Sequence, residues 1–148
     1  MTNPDIMDKF FKLRRAINLK MVNRLKALGF GPKQALALKC IIKYGPISSA
    51  KLAVLTLSDP AAISRSVDIL VKHGLLKKGE SRADRRAWQL ILTKKGKQAA
   101  GKIREVQNSI TEDIFGSLSS REQRYLMSLL DRIVEKITGD NIKKGERK

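Results

Sequence analysis

Apolar side chains recur every three or four positions along most of this chain, and that period predicts helices. The first run covers Asp5 to Leu28, with Phe10, Leu13, Ile17, Met21, Leu25 and Leu28 on one stripe. Gly29 stops it. Gly31-Pro32 begins the next, since proline suits a first helical position where no N–H is needed. This second helix is expected to reach about Tyr44, carrying Leu36, Leu38, Ile41 and Ile42, before Gly45-Pro46 ends it. Ser48 is placed to cap a short third helix containing Ala50, Leu52 and Ala53. Ser58 or Asp59 caps a fourth, with Pro60 in its first turn and Ile63, Val67 and Leu70 on one face. His73-Gly74 closes it.

The pattern then changes. Leu75-Leu76 and Ala87 to Leu92 read as two short strands. Between them KKGESRADRR is polar and rich in turn formers, as a hairpin loop is. Thr93 caps a long helix to roughly Phe115, broken at Gly116. Ser119 and Glu122 form a capping box, with Leu118 as the staple. Behind them Leu126, Leu129, Leu130, Ile133, Val134 and Ile137 make another apolar stripe. The final NIKKGERK has no apolar period and reads as a frayed basic tail. Four helices, a hairpin and two more helices give a mostly α chain with a small β-hairpin (α+β). This order is the outline of a winged helix-turn-helix. It divides one compact chain into a DNA-binding region at 31–92, a helical region formed by 1–30 with 93–140, and the tail 141–148.

Composition narrows the partners. The chain has 148 residues, with 31 Lys and Arg against 14 Asp and Glu, a formal charge of +17. A globular chain this basic repels itself, which is best tolerated when the partner is a polyanion. No stretch approaches the ~18 uninterrupted apolar residues of a membrane span, and MTNPDIMDKF lacks the basic-then-apolar order of a secretory signal. Neither a membrane partner nor the Gly at position 2 needed for myristoylation is indicated. A single cysteine, Cys40, suits a reducing cytosol. With one His and one Cys the chain offers no Cys/His zinc set and no nucleophile–base constellation. It also has no glycine pattern for phosphates or dinucleotides, so no cofactor or enzymatic role is expected.

Several residue groups in fixed order resemble the MarR family over about residues 10 to 138. They are Ser64-Arg65, Val67-Asp68, Leu70, Gly74-Leu75, Asp84-Arg85-Arg86, and Leu92-Thr93 with Gly96. Gln34, Leu38 and Leu52-Ala53 upstream, and Leu118-Ser119 with Glu122 downstream, extend the match. The resemblance implies a homodimeric transcriptional regulator, a repressor by preference, in a prokaryotic cytoplasm and on the nucleoid when DNA-bound. Its first and last helices would intertwine across a two-fold axis. The apolar stripes agree, because a lone chain of this size could not cover both. Two reading heads would then meet a pseudo-palindromic operator.

The fourth helix would enter the major groove with Ser58, Pro60, Ala61, Ser64 and Arg65 at its leading end. Arg65 is the candidate for a guanine edge or a phosphate, while Ala61 and Ala62 allow close approach. Around the hairpin only Glu80 and Asp84 oppose a run of Lys and Arg. By the resemblance Asp84 orients Arg86, and Arg82, Arg85 and Arg86 reach the minor groove, where arginine suits the negative potential. Asp84–Arg86 as a purely structural pair is the alternative, and both readings are compatible. The resemblance also implies a small-molecule effector between the DNA-binding and dimerisation regions. Aromatic content of 5% gives no sign of an aromatic-rich pocket. Cys40 is a weak redox candidate: it falls mid-helix, where buried inert thiols are common, although Lys39 and Lys43 would lower its pKa if it were exposed. A winged helix that binds RNA or protein instead is the rival of a different class.

Overall fold

The computed structural model describes residues 3–80 and 88–139. Its elements are α1 (Asp5–Ala27), α2 (Pro32–Tyr44), α3 (Ser49–Leu55), α4 (Pro60–Lys72), β1 (Leu76–Glu80), β2 (Trp88–Leu92), α5 (Lys94–Phe115) and α6 (Ser120–Thr138). This is a mostly helical winged helix-turn-helix with a two-stranded hairpin.

Local chemistry sets each boundary. Gly31 N–H donates to Gln34 Oε1 at 3.3 Å, and Pro32 opens α2. Ser48 Oγ accepts from Lys51 N–H at 3.1 Å and starts α3. Of the two candidates for the cap of α4, Asp59 takes the position: its carboxylate accepts from Ala62 N–H at 2.9 Å. Ser58 instead belongs to the turn, with its N–H on the Ala53 carbonyl. Gly74, at φ 71°, lets the chain reverse out of α4 so that Leu75 N–H reaches the Leu70 carbonyl. Ser119 and Glu122 close their capping box over α6. The Ser119 hydroxyl and backbone N–H together hold the Glu122 carboxyl below its ordinary pKa.

The core gathers where α2, α3, α4, the hairpin and α5 meet. Leu38, Leu52, Ile63, Val67, Leu70, Leu76, Leu90 and Ile103 are among its most deeply buried side chains. In α2 the buried face is Ala35, Ala37, Leu38 and Ile41, while Ile42 turns outward. Leu90 N–H also bonds the Ile47 carbonyl at 2.8 Å, so the hairpin is anchored to the chain between α2 and α3. That long-range bridge has no signature in residue pattern.

The hairpin differs from the sequence expectation. β1 runs on through Lys77, Lys78 and Gly79 to Glu80, in antiparallel register from Leu76 opposite Leu92 to Glu80 opposite Trp88. These residues read as loop because they are polar. They pair as strand because the ladder uses backbone groups, and only Leu76 at the inner end must be buried. Ala87, expected in the second strand, and the basic tail expected at 141–148 lie outside the described residues.

One close approach joins the hairpin end to α5. Thr93 Oγ1 donates to the Gly74 carbonyl at 2.6 Å and accepts from Gly96 N–H at 3.0 Å, capping α5. Thr93 N–H bonds the Leu75 carbonyl at 3.1 Å. Gly96 is buried against that same carbonyl: a Cβ there would stand 2.0 Å from the Leu75 oxygen.

The outer helices are bound more loosely. Arg24 of α1 bonds Ser109 and Asp113 of α5, and Lys20 adds a 3.8 Å pair to Asp113. Leu25 is the one residue of α1 that is buried, and α6 buries none. Phe10, Phe11 and Leu13 on α1, and Tyr125, Met127, Ile133 and Ile137 on α6, remain exposed.

Gly96→Ala should destabilise the fold by about 3 kcal/mol, because the obstructing atom is a backbone oxygen and α5 must move away from the turn between α4 and β1. Urea denaturation of the two proteins measures it. A change within error would mean that α5 shifts at no cost.

Candidate nucleic-acid interface

The leading end of α4 is built from two opposed faces. Ile63, Val67 and Leu70 are buried against α2 and α3, which fixes the rotation of the helix. That rotation leaves Pro60, Ala61, Ser64 and Arg65 exposed together on the other side, with Ser58 half-buried just before the N-cap. The five candidates from this segment therefore share one surface. Pro60 has no N–H and Ala62 N–H is taken by Asp59, so few backbone donors at this end are left open.

The turn leading into α4 carries a conformational cost. Leu57 adopts a left-handed φ of 49° and is 64% exposed, a combination that packing does not require. Thr56 Oγ1 bonds the Leu52 carbonyl at 2.7 Å, and Ser58 Oγ bonds the Thr56 carbonyl at 3.2 Å, so the turn is held from both sides.

The hairpin stands beside α4. Lys78 of β1 lies 3.7 Å from Asp68 of α4, an exposed pair of modest strength. The Lys95 ammonium donates to the His73 carbonyl at 2.9 Å, placing a cation on the last turn of α4 where the helix dipole favours it. His73 is the C-cap of α4. Trp88 begins β2 opposite Glu80 and is largely exposed. The candidates Arg82, Asp84, Arg85 and Arg86 lie outside the described residues.

Sequence reasoning missed Lys33. Its ammonium reaches from the first turn of α2 to Ser58 Oγ at 2.9 Å, across 25 positions of sequence. No local pattern signals this contact, because it depends on how α2 and α4 cross.

Among the clefts formed by the described residues, two bear on this unit. One, of about 640 Å³, lies between α1, the end of α5 and α6, and is lined by Phe10, Leu13, Ile17, Met21, Phe115 and Leu130 among others. The second, of about 490 Å³, lies between α2 and α5. There Lys39, Lys43, Lys97 and Arg104 surround Ile42 and Ile103. Among the described residues no group of three or more His, Cys, Asp or Glu is arranged to hold a metal. Among them also, no helix is long and apolar enough to cross a membrane.

Comparison with known proteins places this geometry. A model of the MarR family matches residues 28–87. The xylose repressor of Bacillus subtilis (strain 168) is 32% identical over 114 residues, covering 74% of this chain. The chain spans only 30% of that repressor's length. A MarR protein from Peptoclostridium difficile DA00132 superposes with a TM-score of 0.83 at 22% identity, over 97% of this chain and 94% of that one. A mutant MarR from E. coli, complexed with operator DNA, superposes with a TM-score of 0.78 at 19% identity, over 88% and 94%. At those identities the two structures speak for the fold alone.

Cys40 is buried in the core face of α2. Burial pushes its thiol pKa up, against the opposing pull of Lys43 and Lys51. Lys51, from α3, takes the part that the sequence suggested for Lys39. A thiol so placed is a poor nucleophile at neutral pH. Iodoacetamide should therefore label the native protein slowly and the urea-unfolded protein fully, as read by mass spectrometry. Rapid labelling of the native chain would show that α2 opens to solvent.

Proposed function

We propose that this chain is a MarR-family, sequence-specific DNA-binding transcriptional regulator acting as a homodimeric repressor, a reading supported by the MarR family model over residues 28–87. It is not an enzyme. The observation that carries the reading is the exposed face Pro60, Ala61, Ser64 and Arg65, presented on a helix whose other face is locked in the core. A helix presented this way fits the major groove, where each base pair displays a distinct donor and acceptor pattern. Ala61 leaves room for close approach, Arg65 supplies a fork of donors, Ser64 supplies a hydroxyl, and Ser58, whose hydroxyl bonds Lys33 and the Thr56 carbonyl, borders the face. Arg82, Arg85 and Arg86 serve the neighbouring minor groove, with Asp84 orienting Arg86. The net charge of +17 supports a polyanionic partner.

Residues 1–30 and 93–140 form the dimerisation region in this reading. Its support is the uncovered apolar surface of α1 and α6, and the apolar cleft between them, which a partner's helices would fill. Two copies then present two α4 helices to a pseudo-palindrome with half-sites about one helical turn, ~34 Å, apart. Release by a small-molecule effector is the remaining element. The cleft between α2 and α5 supports it, because a ligand there would touch both the reading unit and the dimerisation helix.

Titration of the wild-type protein against the DNA upstream of its own gene and against scrambled DNA, at moderate salt, tests this reading. Preference for the upstream fragment at two chains per site is the expected result. Equal, salt-dependent binding to both would make the protein a nonspecific DNA binder, and preference for RNA would favour the rival class.

Arg65→Ala should weaken binding by about 1–3 kcal/mol and relax the preference at one base pair. Competition with a panel of singly substituted duplexes reads this out. An equal loss on every duplex would place Arg65 on a phosphate instead.

A further inference from the structure

The surface at the leading end of α4 has a cation that neither α4 nor the hairpin supplies. Lys33 extends from α2 until its ammonium donates to Ser58 Oγ at 2.9 Å, and Ser58 immediately precedes the Asp59 N-cap. Ser58 Oγ passes its own hydrogen bond to the Thr56 carbonyl, so the hydroxyl accepts from Lys33 in a defined direction. The contact holds the ammonium beside the leading end of α4, on an exposed side chain.

That ammonium forms no ion pair among the described residues. An ammonium has three N–H donors, and Ser58 occupies one. The sequence has no Asp or Glu between Asp8 and Asp59, so α1 beyond its first turn, α2 and α3 carry no carboxylate that could approach it. Asp59 adjoins Ser58, but its carboxylate accepts from Ala62 N–H at 2.9 Å and forms no ion pair with Lys33. Holding a long flexible side chain in one place costs rotamer entropy, and an exposed neutral hydroxyl returns little of it. The arrangement makes better sense as a positioned charge than as a clip between helices.

We propose that Lys33 contacts a backbone phosphate of the duplex, positioned by Ser58, so that α2 grips the strand bordering the groove that receives α4. This rests on the reading of α4 as the groove-entering helix. The assignment makes Ser58 a positioning residue, and Lys33 a source of affinity that carries no sequence preference.

The test is an anisotropy titration of labelled upstream and scrambled duplexes over a series of KCl concentrations. Lys33→Ala should lower the log–log salt slope by about 0.9 for each Lys33 engaged, an affinity loss of about eightfold at 0.1 M salt relative to 1 M, equal on both duplexes. Lys33→Arg should keep the slope. Ser58→Ala should keep the slope while weakening binding less than Lys33→Ala does. Lys33→Gln, which retains a donor for Ser58 without the charge, should behave as Lys33→Ala and covers the case in which that variant folds poorly. An unchanged slope in Lys33→Gln, with or without a lowered melting temperature, would overturn the proposal and leave Lys33 a structural clip. If the wild-type protein binds no duplex at all, the DNA reading fails and this assignment fails with it. If it binds and the slopes match, only the assignment fails.

Discussion

The arrangement of this protein depends on one contact between backbones, where the start of α5 lies against the carbonyls of Gly74 and Leu75. Thr93 satisfies the Gly74 carbonyl with its hydroxyl and caps α5 with the same oxygen. Gly96 permits the approach, since any side chain would occupy the space of the Leu75 oxygen. Lys95 adds a donor to the His73 carbonyl. The end of α4, the root of the hairpin and the start of α5 are thereby one rigid piece. The position of the hairpin beside α4 follows from that piece, while packing of Ile63, Val67 and Leu70 against α2 and α3 sets which face of α4 is exposed.

A second constraint is the division of surface between charge and oil. The reading unit closes its own core, so its outside is free to be basic. The outer helices do not: α6 buries no residue, and the exposed aromatics and isoleucines of α1 and α6 leave a surface larger than scattered apolar residues usually amount to. Two copies of a chain with a +17 charge repel one another. Association through α1 and α6 would have to outweigh that repulsion by apolar burial, and a bound polyanion would relieve it.

Helices were legible in the sequence because their signals are local. Caps at Ser48, Thr93 and Ser119, proline at positions 32 and 60, and glycine at 29, 45 and 74 each act within a few residues, and the boundaries follow them closely. The exposed residues of α4 were legible for the same reason: once Ile63, Val67 and Leu70 define the buried face, the outward positions are determined. The strand Lys77 to Glu80 was not, because backbone pairing needs no apolar alternation when only one end of a hairpin is covered. Ile47 pairing with Leu90, and Lys33 reaching Ser58, were not legible either. Both depend on how distant segments cross, and neither has a periodic signature. The exposure of Ile42, inside an otherwise apolar run, shows the limit of periodicity: it finds an amphipathic helix but sets the width of the buried stripe only loosely.

The length of α5 gives the Thr93–Gly96 contact a mechanical meaning. Its 22 residues span about 33 Å, from the root of the hairpin to the region where α1 and α6 gather. A helix fused to the reading unit at one end is a lever whose handle lies at the other. A swing of about 10° at the far end would carry the near end through roughly 6 Å, close to two base-pair steps along a duplex. In the proposed regulator, small changes in how the outer helices pack would therefore decide whether α4 meets a groove or a backbone, with no change inside α4 itself.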